Sequence, residues 1–259
     1  MAIPTIIGML VTMIYNLTDT FFIGQLGNKS MTAAIGIAFS FVSFIQALGF
    51  WFGYGSGNTM SRLLGAGKEE EAKVIASDGV LLAIAAGILL MVISMLGLNP
   101  LVDFLGGNAS ESLRKYTTEY LWVILFTIPF SLYATTIYNQ MRLCGNVKDA
   151  MLSLLAGMLG NILLDPVFVL GLHMGIVGAG VATLIGNVFS AICVYYYSHT
   201  HGNIPAAWRE VHLTKERLYH ILAGGAPNFS RQGITSIASI LLNNLAAGYG
   251  ETLIAAMTV

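Results

Sequence analysis

The stretch Gly160-Asn161-Ile162-Leu163-Leu164-Asp165-Pro166 places one carboxylate inside an apolar run that extends from Met151 to Leu172. An ionisable side chain at membrane depth costs about 2.5–3.5 kcal/mol on insertion scales, so it usually marks a transport pathway, a proton relay or a paired partner. Asn161 lies four residues before Asp165, which puts both side chains on one helix face. Pro166 removes a backbone donor and allows a kink. Two interpretations follow: a small cation site, or a buried aspartate that neighbouring helices satisfy.

The composition is that of an integral membrane protein. The 259 residues are 56% hydrophobic and 10% charged, with a mean hydropathy of +0.74, whereas soluble domains contain about 25% charged residues. The net charge of -1 and the lack of a basic, aromatic-rich patch give no indication of nucleic-acid binding. Cys144 and Cys193 lie in or beside apolar segments and form neither a disulfide framework nor a CxxC metal motif. No cofactor is predicted apart from a coupling ion, and the lipid bilayer is the expected environment.

Seven apolar stretches of about 20 residues or more are long enough to span a membrane. Pro129 predicts a kink in the fourth, and the glycines between 52 and 57 predict a kink or a close helix contact in the second. A longer polar connection is expected at 99–115, a polar linker at 199–217, and the start of an eighth span after Glu251. The predicted spans are 3–25, 31–64, 74–98, 116–143, 151–172, 176–197 and 218–249.

The distribution of basic residues predicts the orientation. Eight lysines and arginines lie in one set of alternate loops and three in the other. Because basic loops face the cytoplasm, the N-terminus and the linker at 199–217 are predicted to be cytoplasmic. No positively charged segment precedes the first apolar run, so we interpret that run as a retained helix and not as a signal peptide.

A sparse internal repeat predicts two lobes. Pro4 and Gly27 bound the first span and Pro227 and Gly250 bound the seventh, with an offset of 223 residues in both cases. Six spans between the copies return the chain to the same side, as in transporters built from parallel halves. The predicted domains are a six-helix lobe at 1–198, a cytoplasmic linker at 199–217, and the truncated start of a second lobe at 218–259.

Four polar side chains on four different spans are predicted to share one depth. At 1.5 Å per residue, Asp19 and Asp165 lie about 9 and 10 Å from the outer ends of their helices. Tyr120 and Thr183 enter from the same side to about 6–11 Å. Helices that each faced lipid independently would not be expected to carry polar side chains at the same depth, so the four residues are predicted to lie close together.

Two amides extend this layer inward, Asn16 on the face of Asp19 and Asn161 on the face of Asp165. Two neighbouring carboxylates in a low dielectric disfavour double ionisation, and a proton or a cation relieves the repulsion. Carboxylate, amide and hydroxyl oxygens are the hard ligands that Na⁺ prefers, so the sequence leaves H⁺ and Na⁺ open. The alternative is a static hydrogen-bond network that holds the helices together.

Other polar residues within the spans are weaker candidates. Asn139 lies near the inner end of the fourth span, where a capping role is one interpretation. Gln46 either lines a cavity or bonds another helix. Asp78, Glu111 and Glu119 lie near helix ends and are expected to face water.

Four blocks of this sequence form a recognisable series along the chain. They are Pro4-(x)14-Asp19-Thr20-Phe21-Phe22-Ile23-Gly24-x-Leu26-Gly27, Ser61-Arg62-Leu63-Leu64-Gly65-Ala66-Gly67, Gly160 to Pro166 as quoted above, and Gly175-x-x-Gly178-Ala179-Gly180-x-Ala182-Thr183. These blocks resemble those of bacterial multidrug and toxic compound extrusion (MATE) transporters, and the similarity covers essentially the whole chain. The resemblance implies twelve helices in two six-helix lobes, of which this chain corresponds to the first lobe, the seventh helix and the start of the eighth.

The resemblance also implies a function: export of organic, often cationic, drugs across the bacterial cytoplasmic membrane against an inward flow of H⁺ or Na⁺. Asn139 is a looser match to the family's coupling site, and the oxygens for Na⁺ would come from Asp19, Asn161, Asp165 and Thr183. About half of the family's length is absent, so a missing C-terminal lobe is the expected partner, and transport by this chain alone is not expected. The implied coupling cluster is Asp19, Tyr120, Asn161, Asp165 and Thr183.

Other classes of membrane protein fit less well. A lipid-linked oligosaccharide flippase is expected to line its cavity with basic residues for a pyrophosphate, and Arg231 is the one basic residue expected to be buried in a span. An intramembrane aspartyl enzyme needs two acids about 3 Å apart, and its Gly-x-Gly-Asp motif is absent. The repeat and the predicted orientation disfavour a seven-helix receptor, while a passive assembly subunit is a further alternative. The leading hypothesis is therefore a cation-coupled antiporter and not an enzyme.

Overall fold

The apolar runs of the sequence form helices of membrane length. The computed structural model describes residues 17–200 and 203–258, and no strand occurs among them. The all-helical membrane fold predicted from the sequence is confirmed. Five helices in this part of the chain are long and apolar enough to cross a membrane: α2 (Lys29–Gly65), α3 (Glu69–Leu96), α5 (Glu111–Leu143), α6 (Val147–Pro166) with the π-helical turn Val167–Gly171, and α7 (Gly175–Ser198).

Four further helices complete the described chain. Helix α1 covers residues 17–25 of the part described, and the short α4 (Leu98–Leu105) follows α3. A 3₁₀ turn, Trp208–Glu210, lies in the linker between α7 and α8. Helix α8 (Lys215–Ala247) and helix α9 (Glu251–Thr258) occupy the positions predicted for the seventh span and the start of the eighth. Helix α8 is less apolar than the five helices above and is not counted among those able to cross a membrane.

The side chains of capping residues fix where several helices begin. Asn28 accepts from the backbone amides of Ser30 and Met31 at the start of α2. Ser110 and Thr214 do the same for the amides three residues later at the starts of α5 and α8. Each cap satisfies an amide that has no partner within its own helix.

The prediction of a polar connection at 99–115 is wrong in part, because much of this segment is helical. It contains α4, whose Val102 and Leu105 are completely buried. Helix α5 begins at Glu111, five residues before the predicted Tyr116, because Ser110 supplies the cap. The helix then runs through Pro129 without interruption.

The central helices of the bundle are α2 and α5. About 61% of the most apolar window of each is buried within the chain, against 28% for α3 and 22% for α6 with its following turn. Large apolar side chains on the peripheral helices point outward, for example Leu96, which is 85% exposed, and Leu163, which is 69% exposed. These surfaces fit contact with lipid, which is as apolar as a leucine side chain.

The turn between α8 and α9 has the same form as the turn between α1 and α2. Gly27 and Gly250 both have a positive φ, 67° and 99°, which a glycine adopts without strain. Their amides bond to the carbonyls of Gly24 and Ala247, three residues earlier in each case. The geometry agrees with the predicted repeat at this point, while Pro4 lies outside the described residues and the domain limits at 198 and 217 stay predictions.

Candidate functional site

Asp19 is the centre of a buried polar cluster. Its side chain is 5% exposed. Its Oδ2 atom accepts hydrogen bonds from the Tyr120 hydroxyl on α5, at 3.3 Å, and from the Thr183 hydroxyl on α7, at 3.2 Å. Three helices, α1, α5 and α7, therefore meet at one carboxylate oxygen.

Helix α6 contributes two further residues to the cluster, an amide and a second carboxylate. Asn161 and Asp165 are one helical turn apart, and neither has exposed surface. The Nδ2 atom of Asn161 donates to the Thr183 hydroxyl at 3.3 Å. The Asp165 carboxyl group lies within electrostatic range of Asp19. The structure thus brings all five predicted cluster residues together, on four helices.

Several oxygens of this cluster have no donor. Among the described residues, Oδ1 of Asp19, Oδ1 of Asn161 and both carboxyl oxygens of Asp165 are buried without a hydrogen-bond partner. A buried polar atom without a partner costs free energy, and native proteins leave few of them. These four oxygens therefore form a site that can accept a proton or a hard cation.

The donor set fits Na⁺ better than a transition metal. No three His, Cys, Asp or Glu side chains in the described part of the chain converge on a metal site. A Na⁺ ion would be held by the two carboxylates together with the amide oxygen of Asn161 and the hydroxyl oxygen of Thr183. Alternatively, a proton on one carboxyl group would let it donate to the other.

A close approach of α6 and α7 positions the Asn161–Thr183 pair. A Cβ atom on Gly186 would lie 3.0 Å from the Gly157 carbonyl oxygen and 3.1 Å from Cβ of Asn161. Gly157 and Gly186 lie about one turn from Asn161 and Thr183 on their own helices. The two backbones can therefore approach until the short amide and hydroxyl side chains bond directly.

The helix changes form directly after Asp165. Regular α-helix ends at Pro166 and continues as the π-helical turn Val167–Gly171, in which the Leu172 amide bonds to the Val167 carbonyl at 2.8 Å. The break expected from the proline is present as this wider turn. Such turns occur frequently at functional sites.

The weaker candidates lie apart from the cluster or outside the described residues. Asn139 is fully buried, but its Nδ2 atom donates to the Thr135 carbonyl one turn earlier, so it does not cap α5. Gln46 is half-buried in the middle of α2. Asn16 lies outside the described residues.

The expectation that Asp78 faces water is wrong. The residue has no exposed surface. Its Oδ1 atom accepts from the His212 amide at 3.0 Å, and the neighbouring Ser77 hydroxyl accepts from the Ala207 amide at 2.9 Å. The linker folds back over the end of α3 and covers the carboxylate.

The other charged residues considered in the sequence, Glu111, Glu119 and Arg231, are partly or fully accessible to solvent in this structure. Glu111 is exposed and Glu119 is half-buried, both near the start of α5. Arg231, expected to be buried in its span, is exposed. The reason is that α8 packs on the bundle with one face only.

Comparisons with known proteins place the chain in a family. The MatE family model matches residues 4–167. The multidrug export protein MepA of Staphylococcus saprophyticus is 29% identical over 255 residues, and the alignment covers 98% of this chain and 56% of that protein.

Solved structures show the same coverage. An inward-facing multidrug resistance MATE transporter of the MOP superfamily superimposes with a TM-score of 0.87 at 27% identity, over 98% of this chain and 59% of that one. Crystal structures of a MATE transporter at 29% identity give TM-scores of 0.84 in the bent and 0.83 in the straight conformation, over 98% of this chain and 56% of that one. The chain thus spans a little over half the length of the proteins that it matches. The predicted resemblance is confirmed, and the chain belongs to the MatE family.

Proposed function

We propose that this chain supplies the ion-coupling lobe of an antiporter that exports organic, often cationic, drugs across the bacterial cell membrane. The observation that carries the proposal is the group of four buried acceptor oxygens shared by Asp19, Asn161 and Asp165. The names of the relatives support the drug class, since one is a multidrug export protein and another a multidrug resistance transporter. A second lobe, corresponding to the part of the relatives that this sequence does not span, would complete the drug site at the interface between the lobes.

The cluster can couple an ion to a movement because it joins four helices. Two like charges about 4 Å apart repel by roughly 4 kcal/mol at an effective dielectric constant of 20. Binding a proton or Na⁺ removes that repulsion, and such an energy shifts a two-state equilibrium by about a thousandfold. A bound ion therefore favours the arrangement in which the Asp19 and Asp165 carboxylates are close. Loss of the ion favours an arrangement in which they are farther apart.

The proposed orientation places the N-terminus and the linker in the cytoplasm, from the eight-to-three distribution of basic residues. The Asp19 cluster then lies in the outer half of the membrane, where ions enter from outside. Alternating access by movement of the two lobes would release those ions inside.

The test is the substitution Asp165→Asn in a protein that contains both lobes. Asparagine keeps the shape but can neither take up a proton nor balance a cation's charge. We expect drug export, measured as efflux from cells and as uptake into inverted vesicles, to be lost, while membrane insertion and expression stay normal. Asp103→Asn is the matched control, since Asp103 is a half-buried acid on α4, away from the Asp19 cluster, that pairs with Arg114 at 3.0 Å.

Full drug resistance in cells that express the Asp165→Asn variant normally would contradict the proposal. The coupling ion is identified in the same vesicles. Loss of export on adding a protonophore in Na⁺-free buffer indicates H⁺, and a requirement for a Na⁺ gradient indicates Na⁺.

A further inference from the structure

A second polar feature lies far from the Asp19 cluster. An open cavity of about 350 Å³ is lined by residues of α3, α5, α7 and the linker. Its α5 residue Tyr133 is 13 residues from Tyr120, or about 20 Å along the helix. The cavity is therefore separate from the ion site and adjoins the opposite end of the bundle.

The lining of this cavity combines exposed polar side chains with apolar ones. His199, at the end of α7, and Arg209, in the linker, line the cavity and are exposed, so they mark its rim. Val80 and Leu81 line it farther along α3, towards the middle of the membrane. Tyr195 lies between these levels, one turn inside His199, and its ring packs on the histidine ring with centroids 4.3 Å apart. A phospholipid in the adjacent leaflet has the same order of polar and apolar groups.

Arg209 is the charged group at the rim that has no partner. Its side chain is exposed, and neither an ion pair nor a hydrogen bond to it occurs among residues 17–200 and 203–258. The adjacent acid, Glu210, lies within electrostatic range of Lys73 instead. A guanidinium group binds phosphate through two parallel hydrogen bonds, and basic pockets between membrane helices on the cytoplasmic side bind lipid headgroups.

We propose that this cavity binds one anionic phospholipid of the leaflet next to the linker. Arg209 donates to the headgroup phosphate, with His199 beside it. The first part of an acyl chain lies against Val80 and Leu81. An uncompensated arginine favours a headgroup with a net negative charge, such as phosphatidylglycerol, over a zwitterionic one. The proposal does not rest on the transport function, because none of these residues belongs to the Asp19 cluster.

The experiment compares lipid binding to the purified chain by native mass spectrometry. Detergent-solubilised protein is titrated with phosphatidylglycerol or phosphatidylcholine. We expect one tightly held phosphatidylglycerol per chain and weaker retention of phosphatidylcholine. Arg209→Gln should weaken phosphatidylglycerol binding about tenfold, since it removes the positive charge and the paired N–H donors of the guanidinium group.

Arg62→Gln is the matched control. Arg62 is exposed in the last turn of α2, at the end of the helix that is predicted to lie on the same side of the membrane as the linker. It does not line the cavity. Its loss should leave binding unchanged. A second variant, Leu81→Trp, keeps the arginine and fills the apolar part of the cavity, so it should also weaken binding, and circular dichroism confirms that each variant is folded.

Three results would overturn the proposal. The first is an equal loss of binding in Arg209→Gln and Arg62→Gln, which indicates attraction to diffuse surface charge. The second is equal retention of the two lipids. The third is displacement of the lipid by an equal concentration of soluble glycerol 1-phosphate, which indicates a site for free organic phosphates.

Discussion

Replacing Gly225 by alanine tests the closest contact between the first lobe and α8. An ideal Cβ atom on Gly225 would lie 1.9 Å from the carbonyl oxygen of Trp51 on α2. In the reverse direction, a Cβ atom on Gly55 would lie 1.9 Å from the Ile221 carbonyl oxygen. The two backbones are therefore in contact at a pair of glycines. Because real Cβ atoms essentially never approach another atom within 3.0 Å, the methyl group must move the helices apart by about 1 Å or more.

That separation disrupts two contacts of Trp51. Its indole Nε1 atom donates to the Leu222 carbonyl at 2.8 Å, and its ring stacks on Phe229 with centroids 4.3 Å apart. Overpacking costs about 1–3 kcal/mol, and loss of the hydrogen bond adds about 1 kcal/mol. The better helix propensity of alanine offsets up to about 1 kcal/mol. We therefore expect a net loss of about 1–3 kcal/mol in the free energy of unfolding.

Gly233→Ala is the control, because Gly233 lies on the same helix and a Cβ atom there would meet nothing within 4 Å. It should be neutral or slightly stabilising, since only the propensity changes. The measurement is unfolding in mixed detergent micelles, followed by circular dichroism. Equal stability of the two variants would refute the close contact of α2 and α8.

Two further predictions concern Asp78 and α1. Asp78→Ala leaves the His212 amide without its acceptor and should destabilise the linker contact by about 1–3 kcal/mol. The expected result is faster proteolysis of residues 199–217 than in the unaltered chain, and equal rates would contradict this. Protonation of Asp19 or Asp165 at low pH, or Na⁺ binding, should bend or shift α1, because hydroxyl groups such as Thr18 and Thr20 can bond back to helix carbonyls. Structures at high and low pH in which α1 superimposes within error would remove that mechanism.

The position of the Asp19 cluster could be predicted because the depth of a residue depends only on its distance along its own helix. Counting residues from each helix end at 1.5 Å per residue placed Asp19, Tyr120, Asp165 and Thr183 in one layer. The spacing of Asn161 and Asp165 placed both on one face of α6. The rotation of each helix about its own axis depends instead on packing, for example on the close approach of α6 and α7 at Gly157 and Gly186. No sequence pattern predicted that this pair of helices would be in contact there.

The glycines between 52 and 57 show where a local pattern leaves a choice. They predicted either a kink or a close helix contact in the second span. Helix α2 is one continuous helix from Lys29 to Gly65, and Gly55 lies in contact with the backbone of α8. The partner is 166 residues away in sequence at Ile221, so only the tertiary structure decides between the two alternatives.

Asp78 and Asp165 are both completely buried, but only Asp165 is recognisable as buried from its neighbours. Asp165 lies among apolar residues on both sides, whereas Asp78 lies seven residues after Glu71 and its partner, His212, follows 134 residues later. That distant bond has a mechanical consequence. His212 lies two residues before Thr214, which caps α8, so the bond holds the start of α8 against α3. The contact of Gly55 and Gly225 holds the first half of the same helix against α2. Helix α8 is therefore held to the preceding helices at two separate points, and we expect α2, α3 and the first half of α8 to move as one unit.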